Sequence, residues 1–451
     1  MKKYKILFFI YGNYFFIGLV NNSLGAIIPD ISAAFRLTLT MTASLSFVLF
    51  IAYGITAIPA GLFLKKYREQ ALVRSALVLM IIFCTLLLFF PFFPMTLLTL
   101  FILGIGSTSL QVSLNYLLRN TGGSKNFGMH LSFAQLVFGI ASFLFPLLYR
   151  SIAGFMNTGT EEHRGYRMLN FISRGTTAFT WVTLFLVFCC AAAVLFAFTK
   201  WLPGRKSYQE TIAPANSFEG LQALFKDTTA VLFFIGMTLY VGVEIGLANW
   251  ISKYLLLYHD CNPAEQGALA VSWFWGMFTF GTLISIFLLK YFSHRKILII
   301  SSLLSMVSLI FALWGDKNTA LIMFPAAGFC ISPQWPVIFS MAMNSVKTHH
   351  ETYSGILSAG ALGGAFVPLI IGGMGDLLSL RAGMSFLFIC LGYVLFLALK
   401  KNGTGQTGYG PENSLPVCPW GLHIPHPLYS WVSPDSSKAK FRAVRFQAIR
   451  F

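Results

Sequence analysis

Long apolar runs alternate with short polar segments along most of the chain. A helix needs about 20 apolar residues to cross a ~30 Å hydrocarbon core, and runs of that length recur from the first residues to about residue 400. The pattern predicts an all-α polytopic membrane protein. We number its predicted membrane spans one to twelve. They cover 6–29, 43–64, 73–91, 95–118, 128–149, 176–199, 229–255, 266–289, 296–314, 319–343, 352–374 and 383–400.

Two polar gaps, 150–175 and 200–228, interrupt the regular spacing of the spans. The second gap divides the chain into two sets of six. "GIASFLFPLL" in span five and "LGGAFVPLII" in span eleven place proline and small residues in step, which favours a parallel internal duplication. The alternative is that Gly, Ala and Pro are simply frequent in membrane helices. The predicted organisation is 1–199 as one six-helix half, 200–228 as a central cytoplasmic loop, 229–401 as the second half and 402–451 as a tail.

Charge is sparse and unevenly placed. Only 10% of the residues are charged, against about 25% in a soluble protein. The net charge of +17 comes from lysines and arginines in the loops, and no nucleic-acid-binding motif accompanies them. Nineteen loop lysines and arginines lie on the side of the termini, against eight on the other side. Positive loops stay inside the cell, so we expect an inner (plasma) membrane protein with both termini cytoplasmic.

The two ends of the chain differ from the spans between them. "MKKYKILFFIYG" resembles a signal peptide, but its apolar run continues without a small-residue cleavage site and predicts a retained first helix. The proline-rich tail from residue 402 is predicted to be disordered, or to be an artefact such as readthrough into another frame. The seven cysteines form neither a disulfide framework nor a metal-ligand spacing.

Polar side chains inside the spans are the candidate functional groups, because each one costs free energy in a bilayer unless it has a partner or a function. No catalytic motif and no cofactor motif occurs among them, so we expect no enzyme and no cofactor. The candidate substrate-binding residues are Asn21, Asn22, Gln111, Asn115, Gln135, Glu244, Asn249, Trp273, Gln334 and Trp335.

Amides mixed with tryptophans suit a neutral polyhydroxylated solute. Amides exchange paired hydrogen bonds with hydroxyl groups, and an indole face can stack on the apolar face of a sugar ring. The alternative is that the amides join helices and the tryptophans anchor the membrane interface. These residues fall on spans one, four, five, seven, eight and ten, which are expected to line a central site, and this favours the site.

Glu244 is the acid placed deepest in a predicted span, within "LYVGVEIGLANW". Gly242 and Gly246 flank it, and this predicts a helix that can break locally. Three roles remain open for Glu244: proton carrier, acceptor for a solute hydroxyl, or structural acid at a helix break. His130 in span five is the reserve candidate for carrying a proton.

Several stretches resemble the fucose–galactose–glucose:proton symporter family of the major facilitator superfamily. They are "NNSLGAIIPD" at 21–30, "IPAGLFLKKY" at 58–67, "YVGVEIGLANWISKYL" at 240–255, "GFCISPQWPVIFSMAMNSV" at 328–346 and "GGAFVPLIIGGMGDLLSLRAGMSF" at 363–386. The resemblance covers about residues 5–400. It implies proton-driven import of a hexose or deoxyhexose, with Asn21, Asn22, Gln135 and Glu244 at family positions.

Two positions depart from that family. Gly25 stands where the family has its first-span acid, and Gln111 stands where it has a fourth-span glutamate. Neither glycine nor glutamine can carry a proton. The expected function is therefore a sugar transporter that works by alternating access as a monomer in the lipid bilayer, with protons as the candidate coupling ion. The alternatives are an exporter of amphipathic compounds and a nutrient sensor that does not transport.

Overall fold

The computed structural model describes residues 2–66, 68–122, 127–158, 177–202, 227–345, 353, 356–357 and 359–400. All regular structure in these residues is helical, and twelve segments are long and apolar enough to cross a membrane. This confirms the predicted all-α fold and the twelve spans. The spans are Lys3–Phe35, Leu39–Gly61, Glu69–Phe89, Phe93–Leu118, Phe133–Met156, Thr180–Trp201, Thr228–His259, Pro263–Leu289, His294–Trp314, Lys317–Ser345, Ala359–Leu377 and Leu380–Leu399. The predicted tail, 402–451, and most of the central loop lie outside the described residues.

The described residues contain fourteen α-helices, which we number α1 to α14. They are Lys2–Asn21, Leu24–Phe35, Leu39–Lys66, Glu69–Phe89, Phe93–Gly122, Phe127–Thr158, Thr183–Phe198, Thr228–His259, Ala268–Tyr291, His294–Trp314, Lys317–Ile331, Gln334–Ser345, Gly363–Leu377 and Leu380–Leu399. Short turns of tighter or wider helix complete spans six, eight and eleven. Asp227, Asp316 and Ser379 cap helices α8, α11 and α14 by accepting backbone N–H hydrogen bonds.

Two spans are built from two helices each. Span one breaks between α1 and α2 at Asn22–Ser23, where the Ser23 hydroxyl donates to the Val20 carbonyl. Span ten breaks between α11 and α12 at Ser332–Pro333, since proline has no N–H to continue the helix. Span one continues through its break to Phe35, so it ends six residues beyond its predicted end. Broken helices inside a membrane are tolerated where the freed polar groups find partners or line a site.

Span seven does not break at Glu244, and the expectation that its glycines allow a local break is wrong. Helix α8 runs without interruption from Thr228 to His259. A side chain at Gly242 would collide with Val367 of span eleven, and one at Gly246 would meet Ile371 at 3.1 Å. The two glycines therefore allow spans seven and eleven to pack closely.

Three seams join the first six spans to the last six: span one on seven, span two on eleven, and span five on eight. Spans five and eleven are equivalent under a shift of six, as are two and eight, so the latter two seams are related by the predicted duplication. A Cβ on Gly372 would lie 2.6 Å from the Leu39 carbonyl oxygen. In the third seam, the Ser272 hydroxyl donates to the Phe143 carbonyl at 2.6 Å.

The bundle is closed at one end, which we call the distal end because it lies opposite the N-terminus. There, the Asp376 carboxylate accepts hydrogen bonds from the backbone N–H groups of Leu39 and Thr40, each at 2.7 Å. An acid from span eleven thus caps the first turn of span two. Asn249 and Lys253 of span seven add hydrogen bonds to Ser46 and Ser32. These contacts hold the two sets of spans together at the distal end.

Candidate functional site

Spans one and seven pack tightly against each other at Gly25. A Cβ atom at this position would collide with the carbonyl oxygen of Ala248. In this conformation, therefore, the position cannot hold the acid found there in the family that the sequence resembles. The contact forms the distal limit of the candidate site.

Asn21 and Glu244 lie on spans one and seven, on the N-terminal side of that contact. Each precedes a residue of the Gly25–Ala248 contact by four positions; Glu244 does so within helix α8, and Asn21 does so across the break at Asn22–Ser23. The Asn21 side chain is 8% exposed and its Oδ1 atom has no hydrogen-bond partner. An unpartnered acceptor of span one and an ionisable carboxyl of span seven thus precede the same contact.

Glu244 is partly exposed in the middle of an otherwise buried stretch of span seven. Tyr240, one turn earlier, is fully buried. The Tyr240 hydroxyl lies next to the Glu244 carboxylate, although the pair falls outside strict hydrogen-bond geometry. Because the hydroxyl is enclosed, the partly exposed carboxylate is the group of this pair that a solute could meet. Tyrosine counts as an apolar residue in the sequence pattern, so Tyr240 is not among the predicted candidates.

Asn22 and Asn249 hold neighbouring spans together. The Asn22 amide donates to the Ser142 hydroxyl of span five at 2.6 Å. The Asn249 amide donates to the Ser46 hydroxyl of span two at 2.7 Å. Both are at least nine-tenths buried. In this conformation both amides therefore join neighbouring spans at the edge of the candidate site.

Gln111 and Asn115 lie one turn apart on span four. They are on the proximal side of the site, which is the side of the N-terminus. Both are partly exposed, and the Asn115 Oδ1 atom accepts a hydrogen bond from the Tyr14 hydroxyl of span one. Gln135 of span five is exposed, one turn from Gly139, which packs on Thr279 of span eight. The structure therefore connects the amides of span four to span one through Asn115 and Tyr14.

Three predicted residues lie apart from this group. Trp273 is 51% exposed and shares a face of span eight with Phe280 and Phe287, seven and fourteen positions later. An exposed apolar stripe of this kind is typical of contact with lipid. Gln334 is fully enclosed and donates weakly to Ser305 of span nine at 3.4 Å, and Trp335 stacks on Phe339 at 5.2 Å.

His130 lies near the proximal end, three residues before span five begins. Its Nδ1 atom shares a hydrogen bond with the Tyr11 hydroxyl at 2.7 Å. Burial and, to a smaller extent, the nearby Lys3 ammonium lower the pKa of His130. The imidazole is therefore neutral at neutral pH and joins spans one and five.

The predicted end of span one at residue 29 left Asp30 just outside the span, and this boundary is wrong. Asp30 lies inside span one, five residues before the end at Phe35. Its carboxylate accepts a hydrogen bond from the Tyr149 hydroxyl of span five and feels the charge of Lys253 in span seven. Lys253 lies inside span seven, whose predicted bounds 229–255 already included it. A lysine within an apolar run was the available signal.

Comparison with known proteins identifies the family. Residues 10–261, more than half of the chain, match the family model described as Major Facilitator Superfamily. The chain belongs to the Major Facilitator Superfamily. This superfamily member is 26% identical over 402 residues to a protein named glucose/galactose transporter from Brucella abortus, covering 87% of this chain and 92% of the relative.

Two further similarities agree. The superfamily member is 23% identical over 395 residues to the L-fucose-proton symporter of Escherichia coli, covering 83% of this chain and 88% of the relative. These relatives bear out the resemblance seen in the sequence. Among solved structures, a bacterial homolog of the human lysosomal transporter Spinster, in an inward-facing and unoccupied conformation, matches with a TM-score of 0.73. The match has 14% identity and covers 88% of this chain and 97% of that one, which shows a shared fold.

Proposed function

We propose that the chain is a secondary transporter that moves a hexose or deoxyhexose across the bacterial inner membrane by alternating access. One observation carries the proposal: Asn21 of span one and Glu244 of span seven each precede the Gly25–Ala248 contact by four positions, and the Asn21 Oδ1 atom has no hydrogen-bond partner. Such groups suit a ligand that both donates and accepts hydrogen bonds, as sugar hydroxyls do. The names of the two relatives support the same class of solute.

The closed distal end supports alternating access. With both termini in the cytoplasm, as the loop charges favour, the distal end faces the periplasm and this conformation faces inward. The two rocking units would be the halves 1–199 and 229–401, joined by the loop 200–228, with 402–451 as a tail. We propose further that the protein works as a monomer and has no enzymatic activity.

We propose that the proton gradient drives sugar transport. Glu244 is the first candidate carrier because it is ionisable, partly exposed and part of the proposed solute site. Gln111, Asn115 and Gln135 complete the solute contacts from the other side. Five further residues stay in the proposal as solute contacts of another conformation of the cycle: Asn22, Asn249, Trp273, Gln334 and Trp335. His130 stays as the reserve carrier.

Transport in proteoliposomes tests the function. Counterflow of radiolabelled glucose, galactose and fucose reports exchange, and accumulation under an inward proton gradient reports coupling. Glu244→Gln should abolish accumulation and retain counterflow if Glu244 carries the proton. Glu265→Gln, which changes an exposed acid in the first turn of span eight, is the matched control and should behave as wild type.

Each outcome has a defined meaning. Unchanged accumulation in Glu244→Gln contradicts the carrier role. Loss of counterflow and accumulation together assigns Glu244 to solute binding, with an expected loss of affinity of about 10- to 100-fold for one charge-assisted hydrogen bond. Absence of counterflow for every sugar in the wild type contradicts the proposed function.

A further inference from the structure

The Tyr14 hydroxyl connects span one to span four at the candidate site. Tyr14 lies on helix α1, and its side chain is 1% exposed. Its hydroxyl donates a hydrogen bond to the Oδ1 atom of Asn115 on helix α5. Asn115 is partly exposed. An enclosed donor of one span thus holds an amide of another span that borders the site.

The enclosure of Tyr14 decides which end of the Asn115 amide faces it. An asparagine amide has an oxygen that accepts and an NH2 group that donates, at two ends of similar shape. If the amide turned over, its NH2 group would donate to the Tyr14 oxygen, and the Tyr14 O–H would need another acceptor. The described residues provide no second acceptor for this hydroxyl. Because a buried donor without a partner costs free energy, the observed orientation should be favoured by about 5- to 150-fold.

The other end of the amide, the Asn115 Nδ2 atom, has no hydrogen-bond partner among the described side chains and backbone groups. Asn22 and Asn249 differ in this respect, because their Nδ2 atoms already donate to the hydroxyls of Ser142 and Ser46. Asn115 therefore offers a donor in a fixed orientation, from a side chain that is partly exposed.

Spans one and seven offer the opposite kind of group. The Asn21 Oδ1 atom has no partner and can only accept a hydrogen bond, and the Glu244 carboxylate also accepts when it is ionised. A solute that contacts both sides meets a donor from span four and acceptors from spans one and seven. A hydroxyl suits either side because it both donates and accepts, whereas an ammonium group can only donate.

We propose that Tyr14 is a positioning residue that fixes the Asn115 amide as a hydrogen-bond donor to the solute. The amide then selects an oxygen that can accept, such as a sugar hydroxyl, and rejects an ammonium group on the same ring carbon. Tyr14 acts through Asn115 and does not touch the solute. This inference rests on the proposed function and adds to it the direction of one hydrogen bond.

A series of amino sugars tests the inference. The transported hexose is compared with analogues in which one hydroxyl at a time is replaced by an amino group, at a mildly acidic pH that keeps the amine protonated. Competition with counterflow of the labelled hexose gives the preference for hydroxyl over ammonium at each ring position. In Tyr14→Phe the amide can turn its oxygen toward the ammonium. The preference should therefore fall by about 5- to 150-fold at one ring position and stay unchanged at the others.

Tyr11→Phe is the matched control. The Tyr11 hydroxyl shares a hydrogen bond with His130 at 2.7 Å, three positions earlier on span one, so its loss leaves the Asn115 amide as it is. Tyr11→Phe should retain the preferences of the wild type. If Tyr14 only stabilised the fold, Tyr14→Phe would weaken the hexose and its amino analogues alike. Unchanged preferences in Tyr14→Phe, or the same change in both variants, would overturn the inference.

Asn115→Asp tests the donor directly. An ionised carboxylate has two equivalent oxygens and no donor, so it has no orientation for Tyr14 to fix. Asn115→Asp should favour the amino sugar at the same ring position, and adding Tyr14→Phe should change the preference no further. A wild-type preference in Asn115→Asp contradicts the inference even if Tyr14→Phe folds poorly. A further change in the double variant contradicts it as well, because Tyr14 would then act by another route.

Thermal unfolding of the sugar-free protein keeps the inference separate from the proposed function. Tyr14→Phe, Asn115→Leu and the double variant form a double-mutant cycle. If the hydroxyl holds the amide, the melting temperature of the double variant should fall by less than the sum of the two single falls. If the wild type exchanges no sugar, the proposed function fails and this cycle still decides the pair. Coupling supports the fixed amide, and additive falls overturn it.

Discussion

Gly25 and the Ala248 carbonyl oxygen approach so closely that spans one and seven touch backbone to backbone. Gly25→Ala should therefore destabilise the closed distal end. Overpacking a tight contact costs about 1–3 kcal/mol, and about 1.4 kcal/mol changes an equilibrium tenfold. Hydrogen exchange of 24–35 should rise accordingly. Gly373→Ala is the control, because its Cβ would meet only Thr40 Oγ1 at 3.9 Å. Equal exchange in the two variants would contradict the prediction.

Tyr240→Phe should separate solute binding from stability. The Tyr240 hydroxyl is buried without a partner, so its removal should leave the thermal stability of the sugar-free protein unchanged or raised. If the hydroxyl acts on the solute through Glu244, sugar affinity should fall by about tenfold. Thermal shifts with and without sugar measure both effects. Tyr14→Phe is the contrasting variant, since its hydroxyl already donates to Asn115. Lower stability without an affinity change in Tyr240→Phe would refute this role.

Asp376→Ala should loosen span two at the distal end. The carboxylate caps the N–H groups of Leu39 and Thr40 from another span, and loss of a cap costs about 0.5–2 kcal/mol. Because the cap crosses the seam, the open conformation should gain population and exchange at 39–46 should increase. Asp316→Ala removes a cap within its own span, at Thr319, and is the control. Faster exchange at 39–46 in both variants would speak against the seam effect.

His130→Asn should retain proton-driven accumulation. The imidazole lies outside span five, is neutral at neutral pH and serves as the partner of Tyr11. An asparagine side chain is shorter but can accept the same hydrogen bond. Uptake under a proton gradient, compared with Glu244→Gln, measures the outcome. Loss of accumulation with intact counterflow would instead make His130 a coupling group.

The twelve spans could be predicted from the sequence because length and apolarity are local properties. The polar residues near the site could also be found, since any amide in an apolar run stands out. Which of them meet could not be predicted: Asn249 and Ser46 are 203 positions apart, and Lys253 and Ser32 are 221 apart. Such pairs depend on how the two sets of spans lie against each other.

Two predictions are wrong for the same reason: the break in span seven and the early end of span one. Gly242 and Gly246 look like helix breakers in isolation, but span eleven packs against them and keeps span seven continuous. Asp30 looks like a residue at a span end because 6–29 is already long enough to cross the hydrocarbon core, whereas the broken span continues to Phe35. Tertiary contacts that no local pattern records decide both cases.

The break in span one also divides that span mechanically. Helix α1 packs on spans four and five, within its own set of six, whereas the largest partner of α2 is span seven of the other set. A hinge at Asn22–Ser23 would let α2 lag behind α1 while the two sets rotate. The hinge would then lie next to Asn21, so a sugar bound at the proposed solute site would contact the hinge directly.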